Sequence, residues 1–396
     1  MKHTYHLGII CLFLLLSSCG NNTENAAIRT GAQNTDAYLS LLEGKKVGIL
    51  TNHTALIDNT HLVDSLSALG VDIQMIFAPE HGFRGDADAG ALLDNYHDAK
   101  TGIRVVSVYG SSFIPADSLM QQLDVALYDI QDVGLRFYTY LSSMYNLMEA
   151  CARNGVPLII MDRPNPNGHL VSGPVLDMKY KSFVGIVPIP VVHGMTLGEM
   201  AGIINGECWL PDSLHVDLTV IPCQNYTHST HYELPIKPSP NLPNNRSIYL
   251  YPSLCLFEAT RVSLGRGTDF PFQVYGHPDM TGYDFSFTPV PVPGAKKPVQ
   301  NGNLCYGVDL RTTPSNEEIW SRGFDLSYVI DAYNNLKEST EMYPDFFTSY
   351  FEKLVGVDYV RPMIKSGAAI EEIEALWQDD LEKFKEKRKQ YLLYPL

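Results

Sequence analysis

Lys46-Val47-Gly48-Ile49-Leu50-Thr51-Asn52 is a short apolar run that stops on polar residues. Too short for a helix and apolar throughout, it reads as a strand buried on both faces. The pattern then repeats. Residues 61–69 have helical spacing, and 71–78 form a second apolar run ending in Pro79-Glu80-His81-Gly82. Residues 103–109 and 125–129 give a third and a fourth strand, the latter closing on Asp129-Ile130-Gln131-Asp132. Residues 138–153 have helical spacing ahead of Gly155, and 156–161 form a fifth strand ending in Asp162-Arg163-Pro164-Asn165. A sixth is expected at 187–192, ending at His193, and 215–221 closes the series. Thr196, with Glu199 three residues on, has the capping-box pattern of a helix start.

Strands alternating with helices imply βαβ units. The expected fold class is α/β, a Rossmann-like, mainly parallel, doubly wound sheet. Ligands of such sheets bind beyond the carboxyl ends of the strands. Asn52, Glu80, His81, Asp129, Asp132, Asp162, Asn165 and His193 are therefore expected along one edge. No Gly-x-Gly-x-x-Gly follows the first strand and no Walker A occurs, so the sheet reads as one without a dinucleotide. Pro238-Ser239-Pro240-Asn241-Leu242-Pro243-Asn244 is rigid and non-helical, and reads as the crossover into a second, smaller α+β domain. That half runs through extended, Pro-rich sequence to Asp309, then through helical patterns at 324–336 and 370–391. The charge run from Glu382 to Lys389 reads as a solvated helix face.

The chain has 396 residues, enough for two domains, and 45% of them are hydrophobic, enough for a sizeable core. Its formal charge of −15 argues against a nucleic-acid partner, which needs a basic footprint. Leu7 to Leu16 is almost purely apolar but too short to span a bilayer comfortably, and reads as the h-region of a signal peptide. Leu16-Ser17-Ser18-Cys19 resembles a bacterial lipobox, which makes Cys19 the expected lipidation site and the membrane an expected partner. The divisions expected are signal peptide 1–18, tether 19–36, Rossmann-like domain 37–237 and second domain 238–396. The five cysteines after Cys19 are odd in number and include no Cys-x-x-Cys, so they read mainly as buried free thiols.

The chemistry of the strand ends is carboxylate, imidazole and amide. No Gly-x-Ser-x-Gly elbow accompanies them, and no His-Glu-x-x-His supports a metal. Carboxylates beside Arg, Tyr and Asn suit glycoside hydrolysis, in which one carboxylic acid protonates the leaving oxygen. Glu80 is the best acid candidate, in a turn opened by Pro79 and closed by Gly82. Asp129 and Asp132 are expected to pair with Arg136. Two other readings compete: a non-catalytic solute-binding lipoprotein, and a metal-dependent amide or ester hydrolase.

Several longer motifs resemble the YbbC-like family, associated with exo-acting β-N-acetylmuramidases of the NamZ type. They are Pro79-Glu80-His81-Gly82-Phe83-Arg84-Gly85, Asp129 to Tyr140, Asp162-Arg163-Pro164-Asn165-Pro166, His193 to Glu199, Pro240-Asn241 and Glu258 to Phe272. The resemblance covers roughly residues 40–395. It implies a cleft between two domains, with Glu80 as catalytic glutamate and His81 beside it. Asp129, Asp132, Arg136, Tyr138, Asp162, Asn165, His193, Asn241, Glu258 and Arg266 would line that cleft. The partner of Glu80 could be Asp132, Glu258 or the substrate's acetamido group. The implied substrates are peptidoglycan-derived muropeptides or disaccharides, met in the bacterial cell envelope on a periplasm-facing membrane, with no cofactor. N-acetylmuramic acid carries a lactyl carboxylate, for which Arg136 is the first candidate and Arg163 and Arg266 are the others.

Overall fold

The computed structural model describes residues 27–84, 94–110, 112–339 and 345–396. The signal peptide, Cys19, the first part of the tether and Gly85 lie outside the described residues.

Seven strands form the main sheet. They are β1 (Lys46–Thr51), β2 (Asp72–Ala78), β3 (Tyr96–His97), β4 (Arg104–Ser107), β5 (Val125–Asp129), β6 (Leu158–Met161) and β7 (Leu218–Ile221). Their order is β7-β6-β5-β1-β2-β4-β3. Every pairing is parallel except that of the short edge strand β3 with β4. The central strands are apolar on both faces because helices cover both, and all of β5 is buried. One face packs Val47, Ile49, Leu62, Leu66 and Leu127. The other packs Leu50, Phe77, Tyr128 and Leu141 in a cluster that also holds Phe257, Leu326 and Phe351 of the second half. The two halves thus share one continuous core.

One expected strand belongs elsewhere. Pro190–Val192 pairs antiparallel with Ser172–Val175 in a separate two-stranded ribbon. Pro188 and Pro190 lack the N–H that an interior strand must donate, which confines the segment to such a ribbon. The place beside β6 goes to β7. His193 is therefore not at a strand end of the main sheet.

The second half opens with a helix over Asn245–Leu254, capped reciprocally by Asn244 and Ser247. The Pro-rich stretch after it contains an antiparallel sheet of β8 (Val274–His277), β9 (Phe285–Phe287) and β10 (Cys305–Asp309), with β10 in the middle. Helices Ser327–Leu336 and Gln378–Arg388 follow. Phe384 and Arg388 are buried while Glu382, Lys383 and Glu386 face solvent. Of the five free cysteines, Cys208 alone is exposed.

The last residues return to the first half. Leu393 N donates to Glu199 Oε1 at 2.7 Å, and His228 N donates to the carbonyl of Pro395 at 2.8 Å. The buried Tyr394 hydroxyl donates to Asp162 Oδ2 and accepts from Cys223 N at 2.8 Å.

Candidate active site

β2 ends at Ala78, and the chain turns at once. Gly82 N closes onto the carbonyl of Pro79 at 3.0 Å, with φ of 68° at His81 and 76° at Gly82. A positive φ at a residue other than glycine is uncommon and marks a turn held by its surroundings. The anchor here is Arg84, which donates twice to Asp98 at 3.2 and 2.9 Å. This turn aims Glu80 into a cavity of about 340 Å3, within the range of small-molecule sites.

Both carboxylate oxygens of Glu80 accept hydrogen bonds. Tyr109 Oη donates to Oε1 at 3.0 Å and Thr139 Oγ1 donates to Oε2 at 2.8 Å. Thr139 is the N-cap of helix Tyr140–Asn154, yet its hydroxyl makes no cap bond. An N-cap Thr ordinarily satisfies an orphan helix N–H. Here that stabilisation is forgone and the hydroxyl holds Glu80. A hydroxyl can rotate from donor to acceptor, so the carboxyl can carry a proton without losing its anchors.

Tyr138, Tyr140, Phe137, Phe113 and Phe183 add walls from the first half. The second half supplies the opposite wall, including Asn241, Tyr251, Glu258, Arg266, Phe272 and Tyr350. Asn241 is fixed by donating to the carbonyl of Gly294 at 3.0 Å, and Tyr138 by donating to the carbonyl of Pro238 at 3.0 Å. Arg266 sits between Gly265 and Gly267, with φ of 73° and 84°. A Cβ on Gly267 would come 2.5 Å from the carbonyl of Val290. Arg266 Nη2 donates to Glu258 Oε1, and the guanidinium lies 4.9 Å from the Phe272 ring centre. The Glu258 carboxylate beside it raises the Arg266 pKa against the lowering effect of burial.

Six of the residues singled out from the sequence meet at this cavity: Glu80, His81, Tyr138, Asn241, Glu258 and Arg266. Seven others do not line it, and their side chains are used elsewhere. Asn52 Oδ1 accepts from Thr54 N and Thr54 Oγ1 at 2.9 and 2.6 Å. Asp129 pairs with Arg163, not Arg136. Asp162 accepts from Thr196 Oγ1 and from Gly198 N at 2.7 and 2.8 Å, at the start of helix Leu197–Gly206, and burial pushes its pKa up to about 6. Asn165 bridges the carbonyl of Met195 and the N–H of Asn167, both at 2.8 Å. His193 Nδ1 accepts from Met195 N at 3.3 Å, and burial pushes its pKa down to about 3.

Arg136 is the largest departure from expectation. It is fully buried and, among the described residues, meets no carboxylate within ion-pair distance. Its Nη1 donates to the carbonyls of Pro174 and Ile189 at 2.7 and 3.0 Å. Its Nη2 donates to those of Leu354 and Val355, both at 2.8 Å. Burial without a counter-charge pushes its pKa down to about 9. Arg136 ties the two halves together and is not available to a substrate carboxylate.

Asp132 is likewise enclosed. Oδ2 accepts from Gly134 N at 2.6 Å and lies 3.9 Å from His193 Nε2, and Oδ1 has no hydrogen-bond partner among the described residues. Burial raises its pKa from 3.8 to about 7. A carboxyl whose folded pKa lies above its unfolded value stabilises the fold fully below about pH 4 and loses that contribution as pH rises through 7. Asp132→Asn removes the ionisable group. Its melting temperature should gain on wild type as pH rises from 4 to 7, the gain at pH 8 corresponding to on the order of 4 kcal/mol. Turnover should persist. A dead but folded Asp132→Asn protein would return Asp132 to the mechanism.

Sequence reasoning quoted Thr139 and Tyr140 inside a motif without giving them a role, and did not single out Tyr109. The available signal for Thr139 was a Thr placed just ahead of a helical pattern, which reads first as a cap. Among the described residues no three His, Cys, Asp or Glu side chains converge as a metal cage.

The chain is similar to known proteins over most of its length. Residues 47–246 match the N-terminal model, and 249–394 the C-terminal model, of exo-β-N-acetylmuramidase NamZ. Peptidoglycan β-N-acetylmuramidase NamZ of Bacillus subtilis (strain 168) is 36% identical over 381 residues, covering 90% of this chain and 89% of that one. The crystal structure of a DUF1343 family protein from Bacteroides fragilis NCTC 9343 superposes with a TM-score of 0.86 at 54% identity, over 93% of this chain and 99% of that one. A second DUF1343 family protein of the same strain gives 0.78 at 26% identity over the same shares.

Proposed function

The chain belongs to the exo-β-N-acetylmuramidase NamZ family, and from this we infer that its cleft releases terminal β-linked N-acetylmuramic acid from peptidoglycan fragments. It is a glycosidase. The observation that carries the assignment of roles is Glu80, held on both oxygens by hydroxyls and lining the cavity between the two halves. Glu80 gives its proton to the glycosidic oxygen as the bond to the anomeric carbon breaks, and water supplies the hydroxyl of the released sugar. The other carboxylate lining the cavity among its described residues is Glu258, already bound to Arg266. The second half carries an antiparallel sheet and helices instead of a second βα lobe, which disfavours the solute-binding reading.

Arg266 is the arginine on the cavity wall, and so the candidate for the lactyl carboxylate. An Arg fork engages a carboxylate through two parallel donors, a geometry lysine lacks. Arg266→Lys should lower kcat/KM on a chromogenic β-N-acetylmuraminide about ten- to hundred-fold, equivalent to roughly 1.5–3 kcal/mol. The matching glucosaminide should be hydrolysed poorly by both proteins and lose little. The same pair of substrates tests the activity itself: wild type should release aglycone from the muraminide far faster, and equal rates would refute the assignment.

The cellular setting is a proposal supported by sequence. Leu7 to Leu16 followed by Leu16-Ser17-Ser18-Cys19 supports a lipid on Cys19 and action in the bacterial cell envelope. Cys19→Ser should end acyl labelling and membrane fractionation. Persistent labelling of that variant would exclude the lipobox.

A further inference from the structure

The rim of the cavity is aromatic, and the chemistry described so far does not use it. Phe113 is 36% exposed. Its ring lies 4.3 Å from that of Phe183 and 5.6 Å from that of Tyr109, and Tyr109 and Phe183 are 5.8 Å apart. All three line the same cavity as Glu80, and the Tyr109 hydroxyl is the one that donates to Glu80 Oε1. Phe113 and Phe183 therefore stand one aromatic ring beyond the carboxylate. The fixed phenol spaces them from it.

We propose that Phe113, Phe183 and Tyr109 form a binding platform for the leaving sugar, the N-acetylglucosamine-type pyranose on the far side of the scissile bond. This rests on the muramidase reading. The argument is one of direction and of chemistry. An exo-acting enzyme places the terminal sugar at the enclosed end of its cleft and lets the remainder leave by the mouth. Arg266 is the arginine in the described lining of the cavity and lies against the buried Phe272, so its charge assigns that wall to the sugar bearing the anionic lactyl group. The partly exposed Phe113 side of the cavity has, among the described residues, no cation over its rings. An aromatic face is electron-rich and attracts the polarised C–H groups that a β-linked pyranose presents on its flat side. It does not select for a carboxylate. The Tyr109 bond to Glu80 then sets the platform's distance from the proton donor. Seating the leaving sugar there brings its bridging oxygen to the acid.

The test uses the whole enzyme and an unmodified disaccharide of N-acetylmuramic acid β-linked to N-acetylglucosamine, with release followed by reducing ends. It compares wild type, Phe113→Ala and Phe113→Trp, and it measures inhibition by each free monosaccharide separately. Phe113 is exposed, so truncation should leave the melting temperature unchanged. Phe113→Ala should raise KM for the disaccharide about three- to tenfold and weaken inhibition by N-acetylglucosamine by the same factor. Inhibition by N-acetylmuramic acid should not move, and Phe113→Trp should restore both values. An unchanged KM, or equal weakening of both monosaccharides, overturns the platform. Failure of wild type to cleave the disaccharide at all would be a different result: it removes the muramidase activity, and the platform with it.

Discussion

Glu80→Gln yields a folded protein that hydrolyses muraminides about 10²- to 10⁴-fold more slowly, the usual contribution of a positioned general acid. The substitution is nearly isosteric. The amide oxygen can still accept from Tyr109, and the Thr139 hydroxyl can rotate to accept from the amide nitrogen. Melting temperature should therefore match wild type, which separates lost chemistry from lost structure. The defect should also depend on the leaving group. A sugar aglycone needs its proton, whereas an acidic nitrophenol departs without one, so the nitrophenyl substrate should lose the least. Near-wild-type hydrolysis of the disaccharide by folded Glu80→Gln protein would remove Glu80 from the reaction. An equal loss on both substrates would assign Glu80 a role other than proton donor.

Arg136→Met should be the most destabilising single change among the residues discussed. It deletes the donor of four hydrogen bonds and leaves the carbonyls of Pro174, Ile189, Leu354 and Val355 to find other partners. Removing one side of a buried charged network costs about 3–5 kcal/mol. For a chain of this size that is a fall of roughly 4–6 °C in melting temperature. Arg136→Lys should recover little, because a single ammonium cannot span carbonyls that approach two separate guanidinium nitrogens. The position of Gly356 adds to this. A Cβ there would meet Arg136 Nη2 at 2.6 Å, so the guanidinium is packed tightly against the second half as well as bonded to it. Among variants that remain folded, the ratio of muraminide to glucosaminide turnover should be unchanged. A lost preference for muraminides at normal stability would instead make Arg136 a substrate contact.

The sheet was legible because its strands are apolar and short, and 125–129 was read with the bounds the structure gives. The place of Glu80 was legible for the same reason: a strand that ends in Pro-Glu-His-Gly has to expose something there. The other strand ends misled, because caps and catalytic groups draw on the same residue types. Asp162 looks functional in sequence, and it is occupied at the start of the helix whose Thr196–Glu199 capping box was legible. Arg136 misled for a different reason. Periodicity shows that a residue is near the core, but not whether a guanidinium is answered by carboxylates or by carbonyls 218 and 219 residues away. Tyr109 was silent because its role exists only once β4 lies beside β2. The second half reads in sequence as extended and Pro-rich within an α+β domain, but its prolines and glycines hid the bounds and pairing of the three strands.

The return of Tyr394 to Asp162 spans 232 positions of sequence, and this bears on how the protein is made. A ribosome adding about 5–20 residues per second needs on the order of tens of seconds to pass from one partner to the other. Through that interval β6 and helix Leu197–Gly206 exist without the phenol and the N–H that answer Asp162 and Glu199. The nascent first half then keeps the bonds from Thr196 and Gly198 but lacks these last donors, a form that proteases and chaperones can still engage. Completion comes as a late clasp. Ribosome-arrested chains ending before residue 390 should be cleaved readily by added protease, and chains extended through Leu396 by a linker should resist it.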